Sequence, residues 1–496
     1  MFSMIKRKKE IFQNVLLMLF MSSASFILLL KSPLHIWRHT ESALDGNVFQ
    51  TIALMMDHGY MPYRDSFDHK GPLLYIINYI GRHISAYRGV WVIEYIFMVV
   101  TLFSLYKIAR LKCNKVISCV VVLAVGSLLL TTLCQGNRVE EYSLPFIAIA
   151  QFIFLDFLLN RRINCIRIFL CGLCLGGVCL LRPNMISVWL VFCIAVLIDL
   201  IKRKEERLIG KYILEFLVGF GSMIIPIIIW MMAKGILMDC WDCYIKFNLV
   251  YISAPEMTSF GHKCDSFFFF LNNILVICSL IISIYFAMKT EHFLYSIYVC
   301  YIISTLWLIS LSGMQYISYG TVLIPVVVFP IAALLAECGK SENNLLVLIM
   351  VLLLSVSTIM PEWLPMIGSL GKMYENRHED NISKLVRDVC YIVEKETTYD
   401  EAISVYGSWD TIYLLTGRIH ATRYSYTDPL VDYMPEIKDE YFEQLKKELP
   451  RIIVIQGGFY DDDISNFLTE NEYDIIWHED KEERAAMIFE REKTEY

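Results

Sequence analysis

The chain has 496 residues, 56% of them hydrophobic and 14% aromatic, with a formal net charge of −7. Apolar runs of roughly 20 residues recur along it, which excludes a soluble globule and indicates a polytopic α-helical membrane protein. The charge is unevenly spread: residues 361–496 carry 15 Lys and Arg against 30 Asp and Glu, while the first 360 are net basic. The two parts therefore face different solvents, and an acidic part of this kind excludes a nucleic-acid partner.

The N-terminus, MFSMIKRKKEIFQN, is a basic flank to the first apolar run. No small-residue cleavage site follows that run, so a retained helix is expected rather than a cleaved signal. Eleven spans are predicted, at about 13–32, 89–108, 116–134, 142–160, 167–182, 184–201, 212–233, 267–288, 292–311, 320–337 and 343–360. Alternate loops are basic: Lys6 to Lys9; Lys107, Arg110, Lys112 and Lys115; Arg161, Arg162 and Arg167; Lys202 to Lys211. Lys and Arg favour the cytoplasmic side, so the N-terminus is expected inside. An odd number of spans then puts the first loop and the acidic C-terminal part on the outer face.

The first outer loop, 33–88, is the most informative stretch. Glu41 and Asp45 are spaced i, i+4 and share one face of a helix. After a Gly-Tyr-Met-Pro-Tyr turn ending at Tyr63 come Asp65, Asp68, His69 and Lys70, and Gly71-Pro72 punctuates the chain. Leu74, Ile77, Tyr79, Ile80 and Ile84 then form the apolar face of a short interfacial helix.

The second outer loop, CQGNRVEEYSLPF, places Arg138, Glu140 and Glu141 between full-length apolar helices. They serve either as interface anchors or as a second contribution to a pocket: Arg138 for a phosphate, Glu140 or Glu141 for a sugar hydroxyl or a cation. The long apolar tract 168–200 is broken only by Arg182-Pro183-Asn184, read as an outer turn in which proline ends one helix and Asn184 caps the next. Arg182 there either snorkels or meets a donor. The outer loop from Lys234 to Ser266 is aromatic and amphipathic. Its Cys240, Cys243 and Cys264 could hold one disulfide with one thiol left over.

After Met360, prolines and glycines at 361, 365, 368 and 371 suggest a linker. Strand-like runs at 402–406, 451–456, 473–477 and 486–489 alternate with helix-like runs at 382–395, 409–416, 441–449 and 464–471, which predicts a small α/β domain. The expected domains are thus 1–360, a membrane domain with a large first outer loop, and 361–496, an extracytoplasmic α/β domain. Asp461-Asp462-Asp463 reads as the acidic start of a helix. Gly407-Ser408-Trp409-Asp410 is a turn at a strand end that could face a ligand. No Walker loop, GxGxxG or zinc-protease motif occurs.

The first loop resembles a known family. An acidic residue just after the first helix, then Tyr-Arg-Asp-x-Phe-Asp-His-Lys-x-Pro-Leu-x-Tyr over Tyr63–Tyr75, looks like the bacterial relatives of protein O-mannosyltransferases and the lipid A aminoarabinose transferases. These are GT-C glycosyltransferases that use sugars linked to polyprenyl phosphate. The match is specific over residues 40–80. Two departures stand out: Gly46 occupies a position where many relatives have a second acid, and Gly71 separates Lys70 from Pro72.

The resemblance implies a GT-C-like membrane fold and an inverting transfer of a hexose or pentose to an envelope glycan, lipid or protein. It places Asp45 as catalytic base, with Glu41 as its neighbour, and Lys70 at the donor phosphate. Arg138 and Arg182 are added as phosphate contacts, and Tyr63, Asp65, Asp68, His69, Glu140 and Glu141 as loop or substrate residues. The lipid tail of such a donor explains a polytopic enzyme in the bilayer, and the cell membrane of a bacterium is the expected location. Asp68 and His69 could ligate a divalent metal, with hydrogen bonding inside the loop as the equal alternative. Two other classes fit the same composition: a secondary transporter and a non-catalytic envelope-assembly protein. Against the first, the charges gather at the outer ends of helices rather than at the midplane.

Overall fold

A computed structural model of the chain describes residues 2–38, 44–86, 88–133, 136–253, 259–289, 292–340, 344–379, 381–427, 431, 434–479 and 486–491. The chain separates into two units, each assembled from three stretches. One comprises Met1–Ser32, Val92–Ile228 and Pro255–Tyr374; the other comprises Pro33–Trp91, Ile229–Ala254 and Glu375–Tyr496. The division expected at 360 from charge alone differs from this one. The first outer loop groups with the acidic C-terminal part, and 361–371, expected as a linker, lies within the helix Met360–Glu375. The helix is continuous from Leu348, and Pro361 lies just past the π-helical segment Ser355–Ile359, a local widening of the kind that goes with an interrupted hydrogen-bond ladder.

The first unit is helical and marks a multi-pass membrane protein. Among the described residues eight helices are long and apolar enough to cross a bilayer, or nine if Phe260–Leu271 and Ile274–Lys289, bent by 86°, form one broken span. The other two of the eleven expected are the helices Cys165–Cys179 and Ser187–Lys202, of 15 and 16 residues. At 1.5 Å per residue such helices fall short of a hydrocarbon core of about 30 Å. Between them Pro183–Met185 forms a 3-10 turn, and Asn184 is not the cap expected: its amide donates to the Leu308 carbonyl at 3.3 Å.

Apolar surroundings force every backbone group to find a partner. Pro330 lies inside the helix Leu323–Lys340 and cannot donate to the carbonyl of Val326 one turn earlier. The Tyr298 hydroxyl donates to that carbonyl at 2.9 Å instead. Gln151 donates to the Pro325 carbonyl at 2.9 Å and to Tyr298 at 2.8 Å, and accepts from the Tyr301 hydroxyl at 3.2 Å. One buried side-chain network thus repairs a proline-interrupted helix. Helices also close on glycine: a Cβ on Gly172 would lie 1.9 Å from the Phe216 carbonyl oxygen, so only glycine allows this approach.

The second unit contains a four-stranded sheet. Its strands are β1 (Ser404–Tyr406), β2 (Ile452–Gln456), β3 (Tyr473–Glu479) and β4 (Ala486–Arg491), in the order β1-β2-β4-β3. The pair β1 and β2 is parallel, with Val405 opposite Val454, and the other pairs are antiparallel. All four lie on the strand-like runs of the sequence. The helix Lys384–Glu396 buries Val386, Val389, Cys390 and Val393, an i, i+3, i+4, i+7 stripe, against this sheet. Leu54, from the first-loop helix Leu44–Asp57, belongs to the same core. The other first-loop helix, Pro72–Ile84, buries Leu73, Leu74, Tyr75, Ile77, Asn78 and Gly81. Of the interfacial face expected there, Leu74 and Ile77 are therefore inside and Ile80 and Ile84 exposed, because the helix packs on Leu44–Asp57 within its own unit.

Candidate functional site

The charged motif of the first loop is a folded knot within the second unit. Tyr63 has a left-handed backbone (φ 71°) and a fully buried ring, an uncommon pair for a bulky residue. Local bonds hold it there. The Tyr63 amide donates to the Ser66 carbonyl at 2.8 Å, and the Met61 amide donates to the Asp65 carboxylate at 2.7 Å. The Tyr63 hydroxyl donates to the Lys70 carbonyl at 2.8 Å. Although burial opposes it, the Asp65 carboxyl sits below its ordinary range because Arg64 and the Met61 amide hold the charged form.

Asp68 is the hub of the knot and is 1% exposed. It accepts from the Tyr75 hydroxyl at 2.9 Å, the Tyr426 hydroxyl at 3.3 Å and the His69 amide at 2.8 Å, with the Lys70 ammonium 3.8 Å away. Lys70 donates to His69 Nε2 at 2.6 Å, so that nitrogen is the unprotonated one. The His69 ring stacks on Phe247 at 5.2 Å, and Asn248 donates to the His69 carbonyl at 2.8 Å. Asp68 and His69, considered above as metal ligands, are thus engaged in the loop's own bonding. Among the described residues no group of three His, Cys, Asp or Glu could hold a metal ion.

The far end of the chain completes the knot. The Phe67 amide donates to the Arg423 carbonyl at 2.7 Å. Arg423 donates to the Tyr63 carbonyl at 2.8 Å and to Cys243 Sγ at 3.0 Å. Ser66 bonds His420 at 3.0 Å. Burial pushes His420 down to about 4, so its ring is neutral at pH 7. Cys240, Cys243 and Cys264 are all free thiols, not the disulfide considered above.

Asp45 occupies the first turn of the helix Leu44–Asp57, a favourable place for a carboxylate because of the helix dipole, and it is exposed. Its charge acts on the Tyr426 phenol. That phenol is buried and held well above its ordinary range by burial and then by Asp68, Asp410 and Asp45. Asp68 is the carboxylate that the hydroxyl bonds, and the charges of Asp410 and Asp45 act on it as well. Asp410, in the Gly407-Ser408-Trp409-Asp410 turn, is pushed up to about 7 by burial, with bonds to Ser425 and Thr51 partly offsetting. Glu41 lies outside the described residues.

The second-loop residues form a separate arrangement within the first unit. Gly136 (φ 67°) and Asn137 (φ 52°) both have left-handed backbones. They pack over Glu94, a fully buried carboxylate in the helix Gly89–Ala109. Glu94 accepts from the Asn137 amide and from the Ser32 hydroxyl, the latter at 3.2 Å. A Cβ on Gly136 would lie 2.5 Å from Ser32 Oγ and 2.7 Å from Glu94 Oε1, so glycine is required twice over. Arg138 takes the N-cap position of the helix Val139–Asn160 and points at the Ser318 hydroxyl at 3.5 Å. Glu140 forms an ion pair with Arg182, whose guanidinium lies 3.9 Å over the Tyr319 ring. Two residues assigned above to a sugar and to a phosphate thus neutralise each other. Glu141 is buried in the first turn of the same helix.

Sequence reasoning missed Tyr426, Arg423 and Glu94. A lone carboxylate inside the apolar run GVWVIEYIFMVV was the available signal for Glu94. Tyr426 and Arg423 had none, because nothing local links them to a loop some 360 residues away.

Solved structures share this architecture. The fold is similar to that of ArnT from Cupriavidus metallidurans solved with undecaprenyl phosphate bound, with a TM-score of 0.66 at 11% identity over 96% of this chain and 98% of that one. The apo form of the same protein gives 0.58 over the same coverage. An oligosaccharyltransferase from Archaeoglobus fulgidus in the apo form gives 0.52 at 13% identity, over 88% of this chain and 69% of that one. The chain thus has the GT-C glycosyltransferase fold that the first-loop motif led us to expect. By sequence, residues 5–343 match the family described as "Putative competence-induced protein Ccs4 N-terminal domain", and the chain belongs to that family. No curated protein matches the sequence significantly.

Proposed function

We propose that the protein is an inverting membrane glycosyltransferase. It moves a sugar from a polyprenyl-phosphate carrier to a cell-envelope acceptor on the outer face of the membrane. The observation that carries the reading is Lys70 and Tyr426 beside Asp68 in the unit that also holds Asp45, whose charge acts on Tyr426, within a GT-C fold. An exposed carboxylate and a half-buried ammonium are the two charges such a transfer needs.

In this reading the acceptor hydroxyl gives its proton to Asp45 as its oxygen bonds to the anomeric carbon. The bond from that carbon to the phosphate oxygen breaks, and its electron pair leaves with the phosphate. Lys70 stabilises the charge that builds there. Glu41 remains the proposed neighbour of Asp45. Arg182, already paired with Glu140 and stacked on Tyr319, is proposed to orient its loop rather than meet the donor. The N-terminus is assigned to the cytoplasm and the C-terminal part to the outside. The basic loops support that orientation.

The test is purified protein in lipid, supplied with a panel of polyprenyl-phosphate sugars and envelope extracts. Transfer or donor hydrolysis, with inversion at the anomeric carbon seen by NMR, is expected. Uptake of a solute into vesicles without donor turnover would indicate a transporter, and neither outcome a scaffold. A cysteine placed at Asp461 should react with an impermeant reagent added outside intact cells, and one at Lys204 should not. The reverse pattern would overturn the assigned face.

A further inference from the structure

The acidic C-terminal part has been given no role so far, yet one of its buried residues bonds the helix that carries Asp45. Asn47, two residues beyond Asp45, donates to the Thr411 hydroxyl at 2.8 Å, a buried bond between residues 364 apart in sequence. One turn further along, Thr51 is fully buried, and Asp410 beside Thr411 is buried too. Asn47 and Thr51 are i, i+4 and so share the helix face turned to this turn. Asp410 and Thr411 are consecutive, 4% exposed each, and start the helix Thr411–Thr416.

The turn itself is rigid. Gly407 has φ 141°, and a Cβ there would lie 2.7 Å from Gln456 Oε1. That same oxygen accepts from the Ser408 amide at 2.8 Å. Gln456 ends β2 and Tyr406 ends β1, so the turn is pinned to the ends of two parallel, paired strands.

We infer that the Gly407–Thr411 turn is a positioning element for the catalytic base: Thr411, held by this rigid turn next to the buried Asp410, fixes through Asn47 the register and tilt of the helix Leu44–Asp57, and thereby the place of Asp45. This inference rests on the reading of Asp45 as base. A base displaced by about 1 Å can lose roughly 10²-fold in rate, so a buried bond in the first turn of that helix is worth more than its share of stability. Asp410 has Thr51, Ser425, Asp68 and Tyr426 as the polar groups facing it from the elements packed around it. Its ionisation would put a second charge beside Asp68, which Tyr426 bonds.

The experiment pairs isosteric variants with their conservative partners. Thr411→Val removes the hydroxyl and keeps the shape; Thr411→Ser restores it. The expected result is a fall in kcat of about 10- to 100-fold in Thr411→Val with KM within about 2-fold, an unchanged melting temperature class, and recovery in Thr411→Ser. Asp410→Asn should flatten the limb of the kcat profile near pH 7. If Thr411→Val does not fold, Asn47→Ala breaks the same bond from the other side.

A readout without turnover separates this inference from the functional reading. In Asp45→Cys, the rate of modification by a charged thiol reagent reports where that side chain sits. Adding Thr411→Val should change that rate. An unchanged rate, or equal kcat in Thr411→Val and Thr411→Ser, would overturn the positioning role. Absence of transfer in the unmodified protein, with the labelling rate still sensitive to Thr411, would overturn the functional reading and leave the positioning intact.

Discussion

The two charged arrangements solve the same problem with different materials. In the second unit, Asp68 is held by hydroxyls: Tyr75 and Tyr426 donate to it, and Lys70 stays at 3.8 Å without closing a tight ion pair. In the first unit, charge is cancelled directly, Arg182 against Glu140, or absorbed by a backbone amide, Asn137 against Glu94. Neutral donors satisfy a carboxylate and leave a neighbouring cation available. An ion pair satisfies both partners at once and leaves neither. The contrast teaches where chemistry is to be sought: the knot around Asp68 keeps a usable charge, and the Arg182–Glu140 pair spends its own on holding a loop.

That difference can be broken by substitution. The largest effect is expected at Asp45. Asp45→Asn keeps the shape and removes the proton acceptor, so transfer should fall by about 10²–10⁴-fold. Melting and donor binding should stay close to those of the parent. Full activity in this variant would remove the base assignment.

Next in size is the ion pair. Arg182→Ala strands a buried carboxylate and should cost about 3–5 kcal/mol of stability. The double variant Arg182→Met, Glu140→Leu should recover most of it, since apolar side chains of similar volume fill the site without an unpaired charge. Denaturant titration in detergent micelles reads both. A double variant as unstable as the single would mean that Glu140 is not the reason for the loss.

Tyr426→Phe sharpens the comparison at smaller scale. It removes one hydroxyl donor from Asp68 and should cost about 1 kcal/mol, with Tyr75 and the His69 amide still in place. The same titration measures it. A loss as large as that of Arg182→Ala would show that the knot, too, depends on a single partner.

The smallest effect is a pH dependence. Asp410 is raised by burial from its ordinary 3.8 to about 7. Its neutral form is the one the fold favours, so the associated stability is full below the ordinary range and is lost as pH rises through about 7. Melting of the parent should therefore decline over that window, and Asp410→Asn should decline less. Identical pH profiles for the two would refute the assignment.

Much of this was legible in the sequence. The apolar runs have the length a bilayer imposes, and the motif from Tyr63 to Tyr75 carries its pattern in contiguous residues. Its knot is largely local: Tyr63, Asp65, Asp68 and Lys70 bond partners within a few positions. The strands β1 to β4 also announce themselves by β-branched and aromatic runs. Less legible were the helices. Pro361, Pro365 and two glycines resemble a linker, yet they lie in a helix that runs on from the π-helical segment Ser355–Ile359. The helices around Pro183, predicted as two short spans, have 15 and 16 residues.

What the sequence determined by itself was the class of solvent for each segment and the local chemistry of the first loop. Both follow from hydrophobicity and from bonds between near neighbours, which spacing alone specifies. Tertiary structure decided the partners. Which of Lys70 and Arg182 keeps its charge available, why Gly136 must be glycine, and how Thr411 and Tyr426 reach Asn47 and Asp68 more than 350 residues away are set by long-range packing. A buried polar group must find a partner or lose about 1–3 kcal/mol. That requirement fixes that partners exist, and only the folded chain fixes which ones they are.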